Sequence, residues 1–173
     1  MALERERRLL ALAKNIQVIL APLNKLPSEV SPTGDQPVLP QSLFVGTRGY
    51  LVKLAHQINR CYSATCYDAC SVMIRRLIEV LIIEAYIHYQ RDMEIKDAAT
   101  GGYARLSALV PKALTDFSRL SRNTRAALGK LKDYGDLSAH SIRYNAKREY
   151  IDDQIVGLRT AVEDLMYEAG MRK

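Results

Sequence analysis

The sequence has no run long enough to cross a membrane, where about 18 uncharged apolar residues in succession are needed. Its longest apolar region, Leu77–Ile87, is interrupted by Glu79 and Glu84. The N-terminal MALERERRLLALAKNI mixes acids with bases and has no small-residue cleavage site after an apolar block, so it reads as a helix start and not as a signal peptide. There is no CxxC pair, no Walker sequence, no Gly-rich phosphate loop and no serine nucleophile elbow. These absences argue against NTPase, hydrolase and metalloenzyme readings, and no cofactor and no metal are expected. Only three cysteines occur, Cys61, Cys66 and Cys70, crowded into ten residues. Their odd number and spacing fit small buried thiols in a reducing, cytoplasmic setting better than zinc ligands or a disulfide framework.

What is present is a chain of 173 residues, 48% hydrophobic and 25% charged, the profile of a globular protein with a modest core. Apolar residues recur at helical spacing almost throughout, and no alternating strand pattern, repeat or low-complexity tract appears. A first helix is expected over residues 2–24. A proline-rich connector follows over 25–46, with Pro27, Pro32, Pro37 and Pro40, and reads as an extended, mobile surface loop. The main helical domain is then residues 47–173. Its expected helices are Thr47–Tyr62, a long central Ala64–Arg91, a short Tyr103–Leu114 carrying Pro111, Ser121–Ala139, and Ala146–Ala169. The last would be capped by Asn145 and ended by Gly170. The class is all-α: an antiparallel four-helix up-and-down bundle with an extra N-terminal helix.

The net charge of +6 is concentrated. Between Arg119 and Arg148 there are eight Lys and Arg against two Asp, so the rest of the chain is neutral overall. Such a segment is either an anion-binding footprint or a solvated face. On the central helix, Asp68, Arg75 and Glu79 fall within about 40° on a helical wheel and form a polar stripe. On the Ser121–Ala139 helix, Arg122, Arg125, Gly129, Lys132, Asp136 and His140 share an arc of about 80°. Gly129 suggests close approach by a partner helix or a ligand. Asp136 and His140 are one turn apart, where a carboxylate can orient an imidazole for acid–base work or for holding a phosphate. Arg143, Tyr144, Asn145, Lys147 and Arg148 follow. With the N-terminus of the last helix they would complete a phosphate-sized pocket walled by Asp68, Arg75 and Glu79. Tyr144 would either stack on a base or pack.

CYDACSVMIRRLIEVLI on the central helix, KDYGDLSAHS on the next long one and the following RYNAKREYIDD resemble a prokaryotic HEPN-like family. In that family an Arg-x-x-Leu-Glu type helix pairs with a Gly-Asn/Asp-x-x-Ala-His segment. The resemblance covers about Thr47 to Gly170. It implies a dimerising up-and-down bundle, and many HEPN proteins are metal-independent ribonucleases in toxin or defence systems. His140 matches the catalytic His of such enzymes. The Arg expected with four to six residues between it and the His does not carry over, because those positions hold Asp133, Tyr134 and Gly135. The resemblance therefore implies a nucleic-acid- or nucleotide-binding or regulatory module, with homodimer, RNA, nucleotide or protein partners and no membrane. One alternative is a metal-independent ribonuclease using His140, Asp136 and Lys132, with Arg75 or Arg143 as other sources of the missing cation. The other is a structural dimer.

Overall fold

The computed structural model describes residues 37–172, so the expected helix over 2–24 and most of the connector lie outside the described residues. The chain from Gln36 onward forms one compact unit. Its helices are α1 (Gly49–Ser63), α2 (Tyr67–His88), α3 (Leu106–Asp116), α4 (Arg122–His140), α5 (Arg148–Asp152) and α6 (Ile155–Glu168). Among the described residues there is no named strand, only one isolated bridge between Lys96 and Tyr103. No helix among them is long and apolar enough to cross a membrane.

The core is built around α2, which packs against α1, α3, α4 and α6. Ile74, Leu77, Ile78, Leu81, Ile82 and Ala85 are all buried there, as the near-continuous apolar sequence of this helix requires. The expected single helix from Ala64 instead begins at Tyr67, because α1 first ends in a tight turn. Thr65 adopts φ 58°, the Thr65 N–H reaches Tyr62 O at 3.0 Å, and the Cys66 N–H reaches Cys61 O at 2.9 Å. This is a Schellman motif with threonine where glycine is usual. The same pair of bonds closes α2 at Gln90 and α6 at Gly170, the glycine stop expected from sequence. Helix α3 runs through Pro111 without a break in its assignment.

Residues 37–46 are not a free connector. Val38 and Leu39 are fully buried and Phe44 nearly so, on a short 3-10 turn over Gln41–Phe44. Asn59 exchanges hydrogen bonds with the Leu39 backbone, giving at 2.8 Å and receiving at 2.9 Å. The guanidinium of Arg159 donates to the carbonyls of Pro37 and Val38, and that of Arg172 to those of Ser42 and Leu43. The prolines prevented helix but not burial, because side chains of the helical unit satisfy the segment's backbone groups.

The last helix is also not continuous from Ala146. It starts at Arg148 with Lys147 as its cap residue, breaks at Asp153–Gln154, and resumes at Ile155. Asn145 lies in an extended loop and caps nothing.

Candidate functional site

Helices α2 and α4 meet at Gly135, which is buried. A Cβ built there would lie 2.5 Å from Arg75 Cβ and 2.9 Å from its Cδ. The absent side chain lets the stem of Arg75 lie on the α4 backbone. The guanidinium then reaches Asp136, with Nε donating to Oδ1 at 2.6 Å. Lys132, one turn earlier on α4, gives Nζ to Asp136 Oδ2 at 3.1 Å and to Asp133 Oδ1 at 2.7 Å. Both oxygens of Asp136 are thus engaged by cations.

Partial burial works against ionisation of Asp136, but the hydrogen bonds from Arg75 and Lys132 outweigh it and hold the carboxyl below its ordinary value of 3.8. A carboxyl with a depressed folded-state pKa contributes stability above its unfolded value and loses it as pH falls through the folded one. Urea unfolding at pH 7 and near pH 3 should therefore show a smaller acid loss for Asp136→Asn than for wild type. An equal loss in both would mean that this pair does not contribute to acid sensitivity.

Beside this triad is an open cleft of about 720 Å³. Arg75, Lys132 and Asp136 line it, with His140 at the end of α4 and Arg105 and Ser107 from the start of α3. Among the described residues Arg75 is engaged through Nε alone, so its two Nη groups are unspent. Arg105 and His140 are exposed, and their side chains make no hydrogen bond among the described residues. Among the described residues Asp136 makes no hydrogen bond to His140; its two oxygens accept from Arg75 and Lys132 instead. Asp133 also lines the cleft, and with Asp136 it takes up Lys132, so what the cleft can offer an anion is the N–H groups of Arg75 and Arg105 and one imidazole. Arg105 and Ser107 carried no signal in the sequence, since only tertiary folding brings the start of α3 to the end of α4.

The other expected site residues lie elsewhere. Glu79 turns to Arg76 at 3.2 Å and lines a separate groove between α1 and α2, so it does not wall this cleft. Asp68 accepts the Ala146 N–H at 3.0 Å and fixes the loop after α4. Tyr144 packs on Tyr150, with ring centroids 6.2 Å apart, and Tyr150 in turn on Tyr134 at 5.8 Å. Tyr144 is thus part of an internal aromatic stack. Arg148 pairs with Asp152 at 3.3 Å and lies over the Tyr62 ring. Arg143, Asn145 and Lys147 are exposed on the loop. None of these five lines the cleft with His140, because the last helix starts too late and too short to present its N-terminus there.

The polar face expected on α4 is also divided. Arg125 turns inward and donates to the carbonyls of Leu120, Leu114 and Phe117, tying off the end of α3. A Cβ at Gly129 would meet nothing within 4 Å, so no helix of this unit makes the close approach expected there. Among the described residues no group of three or more His, Cys, Asp or Glu is placed to hold a metal ion. No protein-family model, curated protein or solved structure matches the chain.

Proposed function

We propose that the chain is a HEPN-like helical module, an antiparallel bundle that binds RNA or a nucleotide through phosphate at the α2–α3–α4 cleft without cleaving it. One observation carries the reading: Asp136 is clamped by Arg75 and Lys132 and leaves His140 unoriented, while Arg75, Lys132 and Arg105 line the same cleft. Cations that converge on an open surface suit retention of a polyanion. An acid–base pair is what cleavage would need, and Asp136 bonds to Arg75 and Lys132 with no hydrogen bond to His140. The homodimer and a role in prokaryotic defence or toxin–antitoxin systems belong to this proposal on the strength of the motif resemblance, and the cytoplasmic setting on that of the three unpaired cysteines.

The test incubates the purified protein with mixed RNA in chelator, wild type beside His140→Ala and Arg105→Ala. The expected outcome is intact RNA and filter retention that weakens with salt. Three phosphate contacts would lower affinity roughly 20-fold between about 50 and about 200 mM salt. Arg105→Ala should weaken retention and flatten that dependence. Cleavage by wild type that His140→Ala abolishes would replace this reading with the ribonuclease. No retention and no cleavage would leave the protein-partner reading.

A further inference from the structure

The three cysteines differ in ways their spacing did not disclose: Cys70 is buried, Cys61 half-buried and Cys66 exposed. Cys70 has no accessible surface, its Sγ donates to Ile58 O at 3.5 Å, and burial pushes its thiol up to about 12. It is a core residue, as the sequence suggested. The other two occupy special places in the turn that ends α1. Cys61 contributes the carbonyl and Cys66 the N–H of the longer Schellman bond, 2.9 Å apart. Side chains at these two positions commonly touch. The equivalent pair at the end of α2 shows this directly, with the Arg91 guanidinium 5.7 Å from the centre of the Tyr86 ring.

The backbone also bounds the distance. Even fully stretched, the path from one Cα through the carbonyl oxygen and the amide nitrogen to the other Cα measures about 6.8 Å. A disulfide bridges Cα atoms roughly 4.4 to 6.8 Å apart. The thiols also sense one another: burial raises Cys61 most, and the neighbouring Cys66 raises it further.

We propose that Cys61 and Cys66 form a redox-active dithiol, a modification site that reacts with low-molecular-weight disulfides and closes to a bridge across the end of α1. Cys66, the exposed member, attacks first as thiolate. A sulfur–sulfur bond forms to one half of the small disulfide, and the other half leaves as a thiolate. Cys61 then attacks Cys66 Sγ, the mixed disulfide breaks, and the second small thiol leaves. The two protein thiols are oxidised by two electrons, the small disulfide is reduced to two thiols, and the two protons released by the protein end on them. The bridge spans a tight exposed turn, so excess reductant reverses it. It also lies next to Tyr62, whose hydroxyl donates to Asp152 and whose ring lies under Arg148, so oxidation stiffens the corner where α1 meets α5.

The experiment treats the reduced full chain with oxidised glutathione, quenches with an alkylating agent in denaturant, and maps the cysteines by mass spectrometry. Chymotrypsin cuts after Tyr62 and Tyr67 and so separates all three. The expected product links the Cys61 and Cys66 peptides, leaves Cys70 alkylated and retains no glutathione. Cys70→Ala should give the same bridge. Cys66→Ser should abolish it and leave Cys61 reacting at least about tenfold more slowly than Cys66 does in wild type. Glutathione held stably on Cys66 beside an alkylated Cys61, a Cys61–Cys70 bridge, or three alkylated cysteines would each overturn the proposal.

Discussion

Leu39→Ala should lower the unfolding free energy by about 2–5 kcal/mol, the range for emptying a buried leucine site in a packed core. Leu39 has no accessible surface, and neither does Val38 beside it. The surroundings have little freedom to collapse into the space. Both backbone groups of Leu39 are held by Asn59, and the preceding carbonyl of Val38 is held by Arg159 at 2.9 Å. Chemical denaturation of the full chain followed by circular dichroism measures the effect. Val45→Ala is the matched control, because Val45 is 77% exposed only six residues later and should change stability by no more than about 0.5 kcal/mol. If Leu39→Ala fell within that same range, residues 37–46 would be a tether after all.

Gly135→Ala should cost about 1–3 kcal/mol through overpacking and should also damage the cleft. The added methyl would collide with the Cβ of Arg75, which is anchored to α2 and cannot swing aside as a side-chain tip could. Relief requires α2 and α4 to separate or Arg75 to change rotamer, and either lengthens the 2.6 Å contact with Asp136. Gly129→Ala is the informative contrast. It lies two turns earlier on the same helix with open space at its Cβ, so alanine there should stabilise the helix by roughly 0.5–1 kcal/mol. Denaturation and salt-dependent RNA retention, measured on both variants, separate the effects. Loss of stability at Gly135 with unchanged retention would mean that Arg75 does not shape the anion site.

The helices were legible because apolar spacing is a local property of the chain. The central place of α2 followed from Leu77, Ile78, Leu81 and Ile82 with little polar relief. Gly170 bounded α6 because a left-handed glycine acts within one turn, whereas the Ser121 cap of α4 went unread although the helix was started at that residue. The polar side chains were less legible, since the helical wheel gives direction but not partner. Arg75 and Glu79 share a stripe, yet Arg75 crosses to Asp136 on α4 while Glu79 takes Arg76 on its own helix. Sequence pointed to a close approach at Gly129, and only the packing of α2 on α4 puts it at Gly135 instead. Arg105 entered the cleft from a part of the chain that drew no notice. Pro37 and Pro40 marked a connector, but the arginines that seat it are more than a hundred residues further on.

Those arginines set a timetable. Arg159 and Arg172 bind carbonyls that lie 121 to 130 positions earlier. At about 5–20 residues per second, a ribosome takes roughly 6 to 26 s to travel from one partner to the other. The tunnel delays both partners alike, so the same interval separates the emergence of Val38, Leu39 and Phe44 from that of the arginines, and during it no finished surface covers them. Nascent chains paused before Arg159 has emerged should accordingly present this segment to chaperones and proteases, while chains carried on a C-terminal linker long enough to bring Arg172 out of the tunnel should hide it.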